Sequence, residues 1–147
     1  MKGIIFSKRM VAAIMDGRKR VTRRIVRPQP ETRLVPFSTG DPVQFPFNQE
    51  GRLVTSLEAP YQRGETVYVK THRYMPERDA TIFLTIADVR IVKLQDGLDA
   101  PEIELEGIPY PAEIATFAEL WDSLHGPGAW EADPWVWRIK FKRFKGR

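Results

Sequence analysis

The sequence predicts an α+β fold: a small, curled, mainly antiparallel β-barrel of about five or six strands with two flanking helices. Three observations carry this reading. Short apolar runs alternate with turn residues along most of the chain. Two segments, near 8–16 and 116–125, repeat apolar residues at helical spacing. The C-terminal run alternates strictly, with Trp135, Trp137, Ile139 and Phe141 on one face and Arg138, Lys140 and Lys142 on the other. Closing such a sheet would hide its edges.

The elements follow in order. Ile4-Ile5-Phe6 is a strand, and Ser7 caps a helix whose apolar face is Met10, Val11, Ile14 and Met15. Gly17 stops that helix in a left-handed conformation. Arg18-Lys19-Arg20 lie just beyond, where the helix dipole favours cations. Residues 21–26 read as extended. From Pro28 to Pro60, six of the chain's twelve prolines fall in a stretch with no sustained period. It reads as a long surface-loop insertion with short strands at Leu34–Phe37 and Leu53–Leu57. Gly64-Glu65 turns into a strand at Thr66–Lys70. A longer strand spans 82–92, with a change of parity at Ala87-Asp88 that marks a bulge. Residues 99–111 are acidic and loop-like, with a helical turn near 103–106. Thr116-Phe117-Ala118-Glu119 has the form of a capping box, followed by Phe117, Leu120, Trp121 and Leu124 at helical spacing and Gly126 as the stop.

Composition narrows the function. At 147 residues and 17.0 kDa, the chain is expected to form one domain over 1–147, with the proline-rich insertion at about 28–60. No apolar run approaches a bilayer span or a secretory leader, so a soluble, cytoplasmic protein is expected. There is no cysteine, which removes disulfides, thiolate catalysis and thiolate metal sites. With only two histidines, no metal and no cofactor are expected. The net charge of +4 is strongly segregated. Residues 1–33 hold ten bases and two acids, residues 134–147 six bases and none, and the middle seven bases and seventeen acids. If the two basic ends meet, they form a surface suited to phosphate backbones.

Several motifs, in order, resemble the ASCH domain family. The first is Ser7, Met10-Val11, Ile14 and Gly17-Arg18-Lys19-Arg20-Val21-Thr22-Arg23-Arg24, similar to the family's G-x-K-x-x-T-x-R after a short helix. Pro60-Tyr61 with Gly64-Glu65-Thr66-Val67-Tyr68-Val69-Lys70 resembles its turn and strand, although Glu65 stands where the family usually has Asp. Val89-Arg90-Ile91-Val92-Lys93-Leu94 followed by Glu106-Gly107-Ile108 resembles its strand and acidic turn. The helix Phe117–Leu124 with Asp133-Pro134-Trp135-Val136-Trp137 is similar to the phage and prophage branch. Branch members often carry an acidic residue near Thr71, which this chain lacks. The resemblance covers most of the chain except 28–58, and it implies a PUA-like fold.

It also implies chemistry. Some ASCH proteins are amidohydrolases that deacetylate N(4)-acetylcytidine with a Lys, a Thr and a Glu, and the positions that match are Lys19, Thr22 and Glu106. A threonine hydroxyl needs a base to take its proton, and a lysine is that base only when its basicity is lowered. Arg18, Arg20, Arg23 and Arg24 would lower it and a nearby Glu would raise it, so the sequence leaves the direction open. Arg18, Arg20, Arg24, Tyr68 and Lys70 are candidate substrate contacts. Trp130 obeys no period and is the aromatic available to stack on a base. Trp121, Trp135 and Trp137 read as core, and His72 and His125 as surface or packing residues. Lys19 and Thr22 also read as a basic helix cap and a β-branched strand residue, and Glu106 as part of a solvated acidic loop. A second function is therefore weighed beside hydrolysis: a non-catalytic or RNA-cleaving RNA-binding module, with Arg138, Lys140 and Lys142 as a basic rail along phosphates.

Overall fold

The computed structural model describes residues 1–38 and 40–144. In chain order its elements are β1 (Gly3–Ile5), α1 (Lys8–Met15), β2 (Val21–Ile25), β3 (Glu31–Phe37), β4 (Gly40–Phe47), β5 (Thr66–Lys70), β6 (Phe83–Lys93), α2 (Ala100–Leu105), α3 (Ile114–His125) and β7 (Trp135–Arg143). Five strands form one sheet in the order β1-β5-β6-β7-β2, antiparallel except for the β1–β5 pair. The fold is α+β, but the sheet is not closed into a barrel: β1 and β2 are its two edges. None of the helices described is long and apolar enough to cross a membrane.

Local chemistry explains most of the boundaries. The Ser7 hydroxyl accepts from the Met10 amide at 3.3 Å and caps α1. Gly17, at φ 85°, ends it. The β6–β7 register shifts between Ile86 and Asp88, where the parity change marked a bulge.

Four further expectations are corrected. The proline-rich insertion is chiefly a β3–β4 hairpin, pairing Glu31 with Phe47 through Val35 with Val43, and Pro36 sits at its register shift. A two-stranded ribbon has two free edges, so it tolerates prolines that a central strand would reject. The strand expected at 53–57 is instead a single bridge at Leu53 and a 3₁₀ turn at Ser56–Glu58. Thr116 is no cap: α3 starts at Ile114 after Glu113, with no side-chain capping bond, so the helix begins earlier than its T-x-x-E string suggests. A third helix, α2, is present, capped by Asp99 and started by Pro101 in its first turn.

The strand β7 organises both cores. Trp135, Trp137, Ile139 and Phe141 are buried together with Ile4, Phe6, Ile14, Val69 and Leu84. On its opposite face Val136 packs with Ile103, Ile108, Phe117 and Trp121 under α2 and α3. The cationic face therefore divides. Arg138 lies under α2, bound to Glu102 at 2.6 and 3.1 Å, while Lys140 and Lys142 extend past the helices and are exposed. The basic ends do meet, since β2 pairs with β7 from Val21–Lys140 to Ile25–Val136. Lys145 and Arg147, counted in the C-terminal basic stretch, lie outside the described residues.

Candidate functional site

A cavity of about 430 Å³ lies beside β2. Four consecutive residues of that strand line it, Thr22, Arg23, Arg24 and Ile25, and β2 is an edge of the sheet. Lys19 enters from the turn after α1, Glu106 from the end of α2, and Phe6, Ser7 and Met10 from the β1–α1 junction. The opposite wall is α3: Phe117, Leu120, Trp121, Leu124 and His125. One side is thus charged and the other apolar and aromatic, at a size suited to a small ligand.

Lys19, Thr22 and Glu106, which the sequence resemblance points to, come together here. Lys19, Thr22 and Glu106 are 4%, 5% and 5% exposed. The Lys19 ammonium donates to the Val21 carbonyl at 2.8 Å and the Glu106 carbonyl at 2.7 Å, and lies 3.6 Å from the Glu106 carboxylate. The other Glu106 oxygen accepts from Arg23 at 2.7 Å. The Thr22 hydroxyl oxygen accepts from Arg24 Nε at 3.0 Å, and Arg24 stacks over Phe6 at 4.8 Å. Among the described residues Thr22 makes no hydrogen bond to Lys19.

Burial pushes Lys19 down to about 8, against the opposing charge of Glu106 and with help from Arg24 and Arg23. The direction that the sequence left open is therefore downward. A neutral amine has two hydrogens and one lone pair. The two carbonyl acceptors account for both hydrogens, which leaves the lone pair as a proton acceptor.

Other candidates fall elsewhere. Arg18 is tied to the Asp16 carboxylate at 2.9 Å and the Gly107 carbonyl at 3.1 Å, and lines a separate hollow with Pro101 and Tyr110. Arg20 donates to the Gly17 carbonyl at 3.3 Å and borders a groove with Lys140, Lys142 and Arg143. Tyr68 and Lys70 are on β5, three places from β2 in the sheet, where their side chains pack over Gly3. Trp130 meets Phe117 edge-on at 6.0 Å and packs onto the second core, which leaves it outside the cavity. Of the six candidate substrate contacts only Arg24 lines the cavity.

His125 and Arg27 line it without having been singled out for it. The His125 ring meets Trp121 at a tilt, with centroids 4.2 Å apart; burial, then Arg27 and Arg24, lower its basicity. The one available signal was its place in the helical series Phe117, Trp121, Leu124, His125, which puts it on the side of α3 that borders the cavity, although Leu124 and His125 themselves are exposed. No metal-binding group of three or more acidic, His or Cys residues exists among the described residues. Comparison with protein-family models, with curated proteins and with solved structures found no match.

Proposed function

We propose that this chain is an ASCH-type, PUA-like domain that hydrolyses the acyl amide of an N(4)-acylated cytidine. The observation that carries the reading is the convergence of three buried residues, Lys19, Thr22 and Glu106, on one cavity. In this reading the Lys19 amine takes the Thr22 proton as the hydroxyl oxygen attacks the acyl carbonyl. The tetrahedral adduct collapses, the C–N bond breaks, and the Lys19 ammonium returns the proton to the departing exocyclic amine. Water, deprotonated by Lys19, then attacks the acyl-threonine ester; the acyl C–O bond breaks, the Lys19 ammonium returns the proton to the Thr22 oxygen, and the acid is released. Arg24, donating to the Thr22 oxygen, favours the developing alkoxide. Glu106 holds Lys19 in place and balances its charge when protonated. The aromatic wall on α3 supplies a surface for the pyrimidine.

The test is turnover of N(4)-acetylcytidine to cytidine and acetate by the purified protein. Thr22→Ala and Lys19→Ala should each cost on the order of a thousand-fold, and the double variant little more, because the two act as a unit. Full activity in Thr22→Ala would replace the nucleophile by water. No turnover of any acylated cytidine would reject the reading.

A second reading, RNA binding, is favoured by one observation. The β2–β7 pairing brings the basic ends together, beside a groove of about 630 Å³ bordered by Arg20, Lys140, Lys142 and Arg143. This reading needs no turnover.

A further inference from the structure

A chain of alternating charges runs from the cavity to the surface, and the proposed reaction uses only its inner end, Lys19 and Glu106. Arg23 Nη1 donates to Glu106 at 2.7 Å and to Glu102 at 3.0 Å. Glu102 is gripped in turn by Arg138, through two bonds at 2.6 and 3.1 Å. The order from surface to interior is Arg138, Glu102, Arg23, Glu106, Lys19. The Arg23 side chain is 1% exposed, so its charge is not screened by water. Burial would raise the Glu102 carboxyl, but Arg138 and Arg23 outweigh it and hold it below its ordinary value.

We propose that Arg23 is a positioning residue: clamped between Glu102 and Glu106, it occupies one oxygen of Glu106 and holds the other just beyond hydrogen-bond length from the Lys19 ammonium. The inference rests on Lys19 acting as the base. A carboxylate free to close from 3.6 Å onto Lys19 would stabilise the ammonium and shrink the fraction of neutral amine present at neutral pH. Arg23 prevents this in two ways. It restrains the carboxylate, and it places a second positive charge near the first. The groups facing Lys19 are Glu106 from the end of α2 and Arg23 and Arg24 from β2. Phe6 contributes its ring at 5.7 Å, and Arg27 and His125 border the same cavity. Glu102 and Arg138 act on Lys19 only through Arg23.

Two variants test this with opposite signs. Arg23→Gln removes the clamp and the charge. Glu102→Gln preserves shape and an acceptor for Arg23 while leaving the Arg23 charge less balanced. The probe is the titration of Lys19 followed by NMR in protein with isotope-labelled lysine side chains, alongside the pH profile of acetylcytidine turnover. Arg23→Gln should move the Lys19 titration up by about one pH unit and cut neutral-pH kcat/KM about tenfold, with recovery at higher pH. Arg23→Lys should restore part of the shift. Glu102→Gln should move the titration down. A merely structural role predicts otherwise: loosening admits water and moves both variants up. If Arg23→Gln does not fold, Glu102→Gln decides alone, and an upward or absent shift overturns the proposal. If the titrations shift as expected but no acylated cytidine turns over, the hydrolase reading fails and the clamp stands.

Discussion

The low basicity of Lys19 has a thermodynamic consequence that can be measured without any substrate. In the unfolded chain this lysine titrates near 10.5; in the folded protein burial pushes it down to about 8. Below pH 8 both states hold the proton, and the native state bears the full cost of the buried charge, about 3 kcal/mol. Between 8 and 10.5 the unfolded chain holds the proton and the native state does not, so stability rises with pH by about 1.4 kcal/mol per pH unit. Tyr61 sets the upper limit of a clean window. Burial raises its phenol, so above about pH 10 the unfolded state ionises first and stability falls again. The perturbation is Lys19→Met, which keeps the aliphatic length and removes the titration. Losing the bonds to the Val21 and Glu106 carbonyls adds an offset that does not vary across the window. The assay is urea unfolding followed by tryptophan fluorescence at pH 7, 8, 9 and 10. From pH 8 to 10 the stability of the natural chain relative to Lys19→Met should climb by about 2–3 kcal/mol. Parallel curves, with a constant difference, would show that Lys19 titrates normally in the fold and would remove the physical basis for its role as a base.

Two further outcomes follow from the same geometry. Gly107 adopts φ 102°, and a Cβ there would stand 3.0 Å from Met10 Sδ and 3.3 Å from Lys19 Cδ. Gly107→Ala should therefore destabilise by about 2 kcal/mol or more and perturb the cavity, whereas Gly97→Ala, at φ 66° with nothing within 4 Å, should cost about 1 kcal/mol; thermal unfolding of the two variants checks the contrast. In the RNA reading, the double variant Lys140→Glu/Lys142→Glu should weaken binding to all sequences alike and flatten the salt dependence by about two counterions. Fluorescence anisotropy across a salt series measures this, and an unchanged slope would take the groove out of the binding surface.

What could be read directly from the sequence is what depends on neighbours in the chain. The alternation of Trp135 to Phe141, the stop at Gly17, the Ser7 cap and the bulge near Ala87-Asp88 are each set within a few residues, and each appears where its pattern indicated. Pattern misled where two local signals compete: the prolines at 42 and 46 read as loop, yet cross-strand pairing to the strand expected at Leu34–Phe37 makes a hairpin of them, and Thr116 has the form of a cap inside a helix that starts earlier. The candidate site divides along the same line. Lys19 and Thr22 stand three residues apart on either side of a turn into an edge strand, so their proximity to one cavity follows from local spacing. Glu106 arrives from 87 positions away and Arg138 from the far end of the chain, and only the packing of α2 against β2 and β7 decides that Glu106 faces Lys19 while Glu102 takes Arg138 out of the basic rail. The same packing encloses Lys19, and so determines the direction of its shift. A sequence names the charges, but their burial and partners are properties of surfaces brought together over long chain separations, and it is burial that brings this lysine's basicity down towards the range of a general base.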